Sequence, residues 1–382
     1  MNNTSSRVVS IDVFRAITMF LMIFVNDLWS ISGVPHWMEH SMRGEDYLCF
    51  ADIIFPAFLF ITGMSIPFAI ENRIKKGESK LTIIKHIALR SIALLIMGLF
   101  TVNYLSLDKS IVSKNVYTIL MLIGFFLTWN SYPKTQDWRR YLYIGLQILG
   151  IALLVFLAFI FRDGSGNIMQ PKWWGILGLV GWTYLICSLI YLFIRQKIKF
   201  HALIWLFFVF ICIAEANNWL GDFKGGILPG RGTFHAFAMG GLITSLLFNR
   251  FPFKKSFPLM ITLGIIILIL GWICNNFWIV SKLTETPPWL FYCLGISLLS
   301  YILTYWIVEI NEKHSWFRWI EPAGTASLTC YLIPHGIYSI THFALPATWL
   351  VYPYGLLRCI LLAFLSIWIT WDLGKIGIKL KI

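Results

Sequence analysis

An all-α, polytopic bundle of transmembrane helices, with about ten to twelve spans and both termini cytoplasmic, is the fold this sequence predicts, on three observations. Of its 382 residues 58% are hydrophobic and 13% charged, whereas soluble domains run to roughly 45–50% apolar and 25% charged. Mean hydropathy is +0.73. The apolar residues gather in repeated runs of about 20, the length that crosses a hydrocarbon core roughly 30 Å thick, and never in the alternating strands of a barrel. A net charge of +13 does not point to nucleic acid, because the basic residues sit in short clusters between apolar runs. Membrane orientation requires them there.

In chain order, spans are expected at 9–30, 51–70, 82–102, 116–130, 140–161, 173–194, 200–217, 233–249, 257–280, 288–309, 320–342 and 351–371. Those at 116–130, 200–217 and 233–249 are short for the purpose. The first run is interrupted by Asp12 and Arg15 and is followed by no small-residue cleavage site, so it reads as a retained helix and not a signal peptide. No internal repeat, low-complexity tract or soluble domain appears, and 1–382 reads as a single transmembrane domain.

Loop charge orients the bundle. The even-numbered connections hold Arg73, Lys75, Lys76 and Lys80; Lys134, Arg139 and Arg140; Arg195, Lys197 and Lys199; Arg250, Lys254 and Lys255; and Lys313 with Arg318. Lys375, Lys379 and Lys381 follow the last span. The odd connections mix fewer basic residues with acids, as in Asp108–Lys109, Arg162–Asp163 and Asp222–Lys224. Both termini and the even loops are therefore expected inside, and the loop after the first span outside. An integral, multi-pass protein of a bacterial cytoplasmic membrane, in contact with membrane lipid, is the expected setting.

Chemistry concentrates in the first hairpin. Ionisable groups within a span usually face a partner or a water-filled cavity and often mark a site. Asp12 and Arg15 share a helical face near the start of the first span, Asn26 and Asp27 lie near its end, and Asp52 opens the second. Between them runs a polar loop with Glu39, His36 and His40. Imidazole is the side chain that titrates near neutral pH. Arg15 and Asn26 are separated by roughly 16 Å along one helix, so a single hairpin can link an inner basic pocket to an outer centre. Arg90 and Glu321 fall toward the inner leaflet and His335 toward the outer. The glycine-rich 221–232, with Arg231, is an outer loop suited to close backbone approach. The seven cysteines show no metal-type or redox spacing, and all but Cys49 lie inside apolar runs. No metal site is indicated.

The motifs SIDVFRAI, FVN, EHS followed by glycine, ADIIFPAFLFITGMS and IALRS together resemble the transmembrane acetyltransferases typified by heparan-α-glucosaminide N-acetyltransferase, and PAGTASLTCYLIPH is similar to a late helix of that family. The resemblance is dense over 7–102, a catalytic hairpin plus third helix, and looser over 222–245 and 287–338. It implies transfer of acetyl from cytoplasmic acetyl-CoA to the amine of a glucosamine-type sugar or glycan across the membrane. It places the catalytic histidine at His40, its neighbouring asparagine at Asn26 and the helix-opening aspartate at Asp52, and it carries a homodimer as a family-level expectation. Two features depart from the pattern. The loop has Met42 and Arg43 where the family has Trp-Asn, and twelve spans exceed the family's core of about ten, with 173–217 as the added hairpin.

The residues assign themselves to steps of such a transfer. An amine attacking a thioester needs a base and donors for the oxyanion. His40 serves either as that base or as a transient acetyl carrier. Asp52 or Asp27 orients its ring, and Asn26 offers an amide donor. Arg15, with Asp12, and Arg90 suit the phosphates of CoA, although Asp12–Arg15 also reads as a structural ion pair and Arg90 as a snorkelling side chain. His335, Glu39 and Arg231 are assigned to the acceptor, with a helix kink at Pro334 the plainer reading of His335. Cys49 is a weak alternative nucleophile. A secondary transporter is the competing class, disfavoured because no related halves appear.

Overall fold

The computed structural model describes residues 8–221, 231–251, 253–341 and 346–382, and among them no strand occurs. The helices are α1 Val9–Leu28, α2 Ala51–Lys75, α3 Lys80–Asn103, α4 Lys114–Trp129, α5 Arg139–Ile160, α6 Ile176–Ile194, α7 Ile198–Ala216, α8 Arg231–Arg250, α9 Phe253–Asn275, α10 Pro287–Tyr305, α11 Glu321–Thr325, α12 Ser327–Thr341 and α13 Tyr354–Lys375. Nine of the described helices are long and apolar enough to cross a membrane; α4 is apolar but shorter. The chain is a multi-pass integral membrane protein.

Two expected spans are corrected. The ninth, 257–280, ends at Asn275, because the Asn276 amide turns back onto the carbonyls of Trp272 and Ile273 that further helix would have used. Residues 276–286 are thereby released to form a connection. The eleventh, 320–342, breaks at Ala326 (φ −131°, ψ 42°) into α11 and α12. The Gly324 carbonyl at this break accepts from Ser327 Oγ and from Arg15 Nη1. A Cβ on Gly324 would meet the Asp12 carbonyl oxygen at 2.3 Å, so α11 can lie directly on α1 only with glycine there.

α1 is the centre of one half of the bundle, packed against α2, α10, α11, α12 and α13. Its first turn is capped from a distance: the Ser10 N–H donates to Glu309 Oε1 at 2.8 Å. The other half assembles on α2, which meets α8 at van der Waals contact of the two backbones. A Cβ on Gly63 would stand 1.8 Å from the Ala238 carbonyl oxygen, and one on Gly241 1.9 Å from that of Phe60. In lipid, where apolar burial drives no helix pairing, such small-residue contacts supply the association energy through dispersion. α5 and α9 turn large apolar side chains outward, among them Phe156, Phe159, Ile265 and Trp272. In a bilayer those faces meet acyl chains.

α2 carries Pro56 and Pro67 inside the helix. Proline has no N–H, so the carbonyl four residues before Pro56, that of Asp52, lacks its helical donor. Two groups of α10 take its place: Trp289 Nε1 donates at 3.3 Å and Cys293 Sγ at 3.7 Å. The proline therefore fixes the head of α2 to α10, and with it the position of Asp52.

Candidate active site

His40 and Asp52 meet at the mouth of the α1–α2 hairpin. His40 Nδ1 lies 2.8 Å from Asp52 Oδ1, and the second oxygen, Oδ2, accepts the Ser41 backbone N–H at 3.0 Å. Asp52 is 1% exposed. A carboxylate facing Nδ1 favours the tautomer with the proton there and the lone pair on Nε2. No described residue bonds to Nε2, and the imidazole is 28% exposed. The pair supplies an oriented ring with one open nitrogen, the arrangement a general base or acyl carrier requires.

A third residue joins them that the sequence did not single out. Lys282, from the α9–α10 connection, places Nζ 3.0 Å from His40 Nδ1 and 3.6 Å from Asp52 Oδ1. Burial pulls its amine below the ordinary lysine value, and the Asp52 carboxylate opposes that shift. Asp46 holds this connection against the His40 loop, accepting from the Val280 N–H at 2.7 Å and from Asn275 Nδ2 at 3.2 Å.

Of the two aspartates that could have oriented the ring, Asp27 is placed elsewhere. Its carboxylate is buried and bound by Arg358 of α13, Nη2 to Oδ1 at 2.8 Å and Nε to Oδ2 at 3.2 Å, with the Tyr338 hydroxyl donating at 2.5 Å. Arg358 also donates to Ser30 Oγ. Asp27 thus ties α1 to α12 and α13, and does not serve His40. Asn26 is exposed at the same helix end, and no described group bonds its amide.

The acceptor residues expected from sequence scatter. His335 Nδ1 lies 3.3 Å from the Tyr104 hydroxyl, with Tyr331 against its ring, and shares no partner with His40. Arg231 is engaged with Glu285 at 3.3 Å. Glu39 is half-buried in the His40 loop, its backbone N–H donating to the His36 carbonyl at 3.2 Å and its carboxylate without a described hydrogen bond. Most of the glycine-rich 221–232 lies outside the described residues. Cys49 is fully buried, donates to the His36 carbonyl at 3.3 Å, and has its thiol pushed up to about 11 by burial, so it is no nucleophile.

At the opposite end of α1 the three residues expected to meet phosphate converge. Arg15 bonds Asp12 at 2.8 Å and Ser65 Oγ at 2.5 Å. Arg90 stacks its guanidinium 4.6 Å above the Tyr184 ring. Asp12, Arg15 and Arg90 line one cavity of about 820 Å³, joined by Lys379 and Lys381 of the C-terminal tail. The tail is held across the cavity by Ser131 N–H to the Lys379 carbonyl at 2.9 Å and Lys381 N–H to that of Trp129 at 3.0 Å. Met22 of α1, Phe58 of α2 and Tyr331 also line it. Phe58 is six residues from Asp52 on α2, roughly 9 Å along the helix. The lining thus combines the cations Arg15, Arg90, Lys379 and Lys381 with apolar side chains such as Met22 and Phe58.

Residues 7–127 match the family model described as heparan-alpha-glucosaminide N-acetyltransferase, catalytic. Heparan-alpha-glucosaminide N-acetyltransferase of Mus musculus is 29% identical over 183 residues, 41% of this chain and 27% of the mouse protein. That of Homo sapiens is 38% identical over 98 residues, 25% of this chain and 14% of the human one. The chain thus spans about a quarter of the mouse relative's length, or less in the human case. The matched region contains His40, Asp52, Arg15 and Arg90, whereas Lys282 and Arg358 lie beyond it.

Proposed function

We propose, from the match of residues 7–127 to the heparan-alpha-glucosaminide N-acetyltransferase catalytic family model, that this membrane protein is an acyltransferase that moves acetyl from acetyl-CoA on the basic-loop side to the amine of an amino sugar on the other. The observation that carries the reading is the His40–Asp52 pair, with Nε2 open, in a bundle that also holds a cavity lined by Arg15, Arg90, Lys379 and Lys381.

The cavity suits such a donor. Arg15, Arg90, Lys379 and Lys381 offer the charge that phosphates and a diphosphate need, Arg as a planar fork and Lys as a point charge. The uncharged arm would run between Met22 and Phe58 toward His40. Keeping the phosphates at the basic end avoids the cost of drawing several charges through hydrocarbon, since only the acetyl group need pass to the far side.

At His40 the balance is simple. The neutral amine attacks the acetyl carbonyl, the C–S bond breaks, sulfur leaves as thiolate or thiol, and Nε2 takes the proton lost by nitrogen. In a two-step version Nε2 first carries the acetyl group and the amine then receives it. Asp52 holds the Nδ1–H in both, and stabilises imidazolium as it forms. Purified protein given acetyl-CoA and glucosamine is expected to release free CoA, and His40→Ala is expected not to. Equal release from the variant would remove His40 from the reaction. Solute uptake without acetyl transfer would replace the reading with a transporter.

A further inference from the structure

A second hollow, apart from the cavity that holds Arg15 and Arg90, opens on the outer surface of the bundle. It is a groove of about 700 Å³ between α13 and the 3₁₀ helix Lys313–Ile320 that leads into α11. Leu361, Phe364, Leu365, Trp368 and Trp371 line it from α13, at the spacing that puts side chains on one helical face. Trp319 packs on Phe364 with ring centroids 5.0 Å apart, and Phe20 of α1 closes on the same two rings at 6.0 and 5.2 Å. Trp319, Trp368 and Trp371 are nonetheless 52%, 58% and 50% exposed. Among the described residues that line the groove, Arg318 is the one that carries a charge. It is exposed, and its guanidinium has no ion-pair or hydrogen-bond partner among the described residues.

We propose that this groove binds an anionic phospholipid, its phosphate at Arg318 and one acyl chain along α13. The site goes beyond the transferase reading and does not depend on it. Depth fits such a ligand: Trp319, Trp368 and Trp371 gather at the end of α13 that carries Lys375, and aromatic belts of this kind sit at headgroup level. Leu361 is ten residues from Trp371, roughly 15 Å farther into the hydrocarbon. One end of the groove therefore meets headgroups and the other acyl chains. Charge selects the headgroup. Lys375 is stacked 3.0 Å over the Trp371 ring and paired with Asp372 at 3.1 Å, which leaves Arg318 to find its anion outside the chain. A guanidinium fork matches two phosphate oxygens, and basic pockets between membrane helices recognise acidic headgroups in this way. A zwitterionic lipid would bring an ammonium to a groove with no carboxylate among its described lining. The volume lies within the roughly 300–1,000 Å³ of sites for single small molecules.

The test titrates the purified, delipidated protein in detergent with palmitoyl-oleoyl phosphatidylglycerol and with the matching phosphatidylcholine, and counts bound lipid by native mass spectrometry. Phosphatidylglycerol is expected to bind the parent more tightly. Arg318→Gln should weaken it about fivefold, the equivalent of the roughly 1 kcal/mol that one basic side chain contributes beside acidic lipid, and leave phosphatidylcholine unchanged. Leu361→Trp fills the deep end of the groove and should weaken phosphatidylglycerol with Arg318 intact. Lys134→Gln removes a basic residue of another loop and should bind as the parent does. All three positions are exposed, so the fold tolerates the changes. Equal affinity of the parent for the two lipids, or the same loss in Lys134→Gln as in Arg318→Gln, overturns the proposal. So does a dimer that Leu361→Trp dissolves whatever the lipid, since the groove would then be an interface between copies of the chain.

Discussion

Trp289 Nε1 donates to the Asp52 backbone carbonyl at 3.3 Å, the carbonyl that Pro56 deprives of a helical partner. A break in the α2 ladder is thus used to set a side chain: the same residue whose carbonyl is held by α10 turns its carboxylate to His40. Trp289→Phe should remove that donor within a fully buried site, leaving the Cys293 thiol as the weaker one. The expected cost is about 1–3 kcal/mol of stability, read as a lower thermal midpoint in detergent, with acetyl transfer reduced. An unchanged midpoint would show that Asp52 is held by other means.

Asp27 and Arg358 form a pair that is 0% and 8% exposed at the side chain. Removing one partner of a buried pair strands the other, at about 3–5 kcal/mol. Arg358→Met is therefore expected to lower the midpoint sharply, and Asp27→Asn combined with it to recover most of the loss. Additive losses in the double variant would mean that the two groups do not act on each other.

Gly63 admits no side chain, since a Cβ there would meet the Ala238 carbonyl of α8 at 1.8 Å and backbone cannot yield as a side chain would. Gly63→Ala should cost about 3 kcal/mol, the upper end of ordinary overpacking, or more. Gly145 on α5 has nothing within 4 Å, and Gly145→Ala there is expected to gain about 0.5–1 kcal/mol. Matched thermal midpoints for the two variants would contradict the α2–α8 contact.

Glu285 gives a pH signature. Burial raises its carboxyl from 4.5 to about 8, against the pull of Arg231. The folded protein therefore holds this proton where the unfolded chain has released it. Stability from the protonated group is complete below pH 4.5 and is lost as pH rises toward 8. Glu285→Gln, which cannot ionise, should gain on the parent between pH 5 and pH 8. A difference in midpoint that is flat across those values would show that Glu285 is already ionised when folded.

Much of this was legible in the sequence, and the exceptions have physical causes. Helices α1 to α4 follow their apolar runs closely because lipid leaves the backbone no other way to satisfy its hydrogen bonds. His40 and Asp52 could be found because they are separated by only twelve residues and sit where a span begins. Lys282 could not, since its partner is 242 residues away and 257–280 reads as unbroken apolar helix until the Asn275–Asn276 stop is weighed. Arg358 was signalled more plainly: a lone arginine within an expected span needs a carboxylate, and Asp27 was waiting in α1. Choosing between Asp27 and Asp52 for the ring was beyond the sequence, because each lies where its helix meets the connecting loop and only packing against α10 and α13 separates them.

A structure of the protein with CoA bound tests most directly whether a passage joins the cationic cavity to the open imidazole nitrogen. The expected result is phosphates at Arg15 and Arg90 with the sulfur within reach of His40 Nε2. Phosphates bound there with the sulfur directed away from His40, or CoA bound outside this cavity, would contradict it.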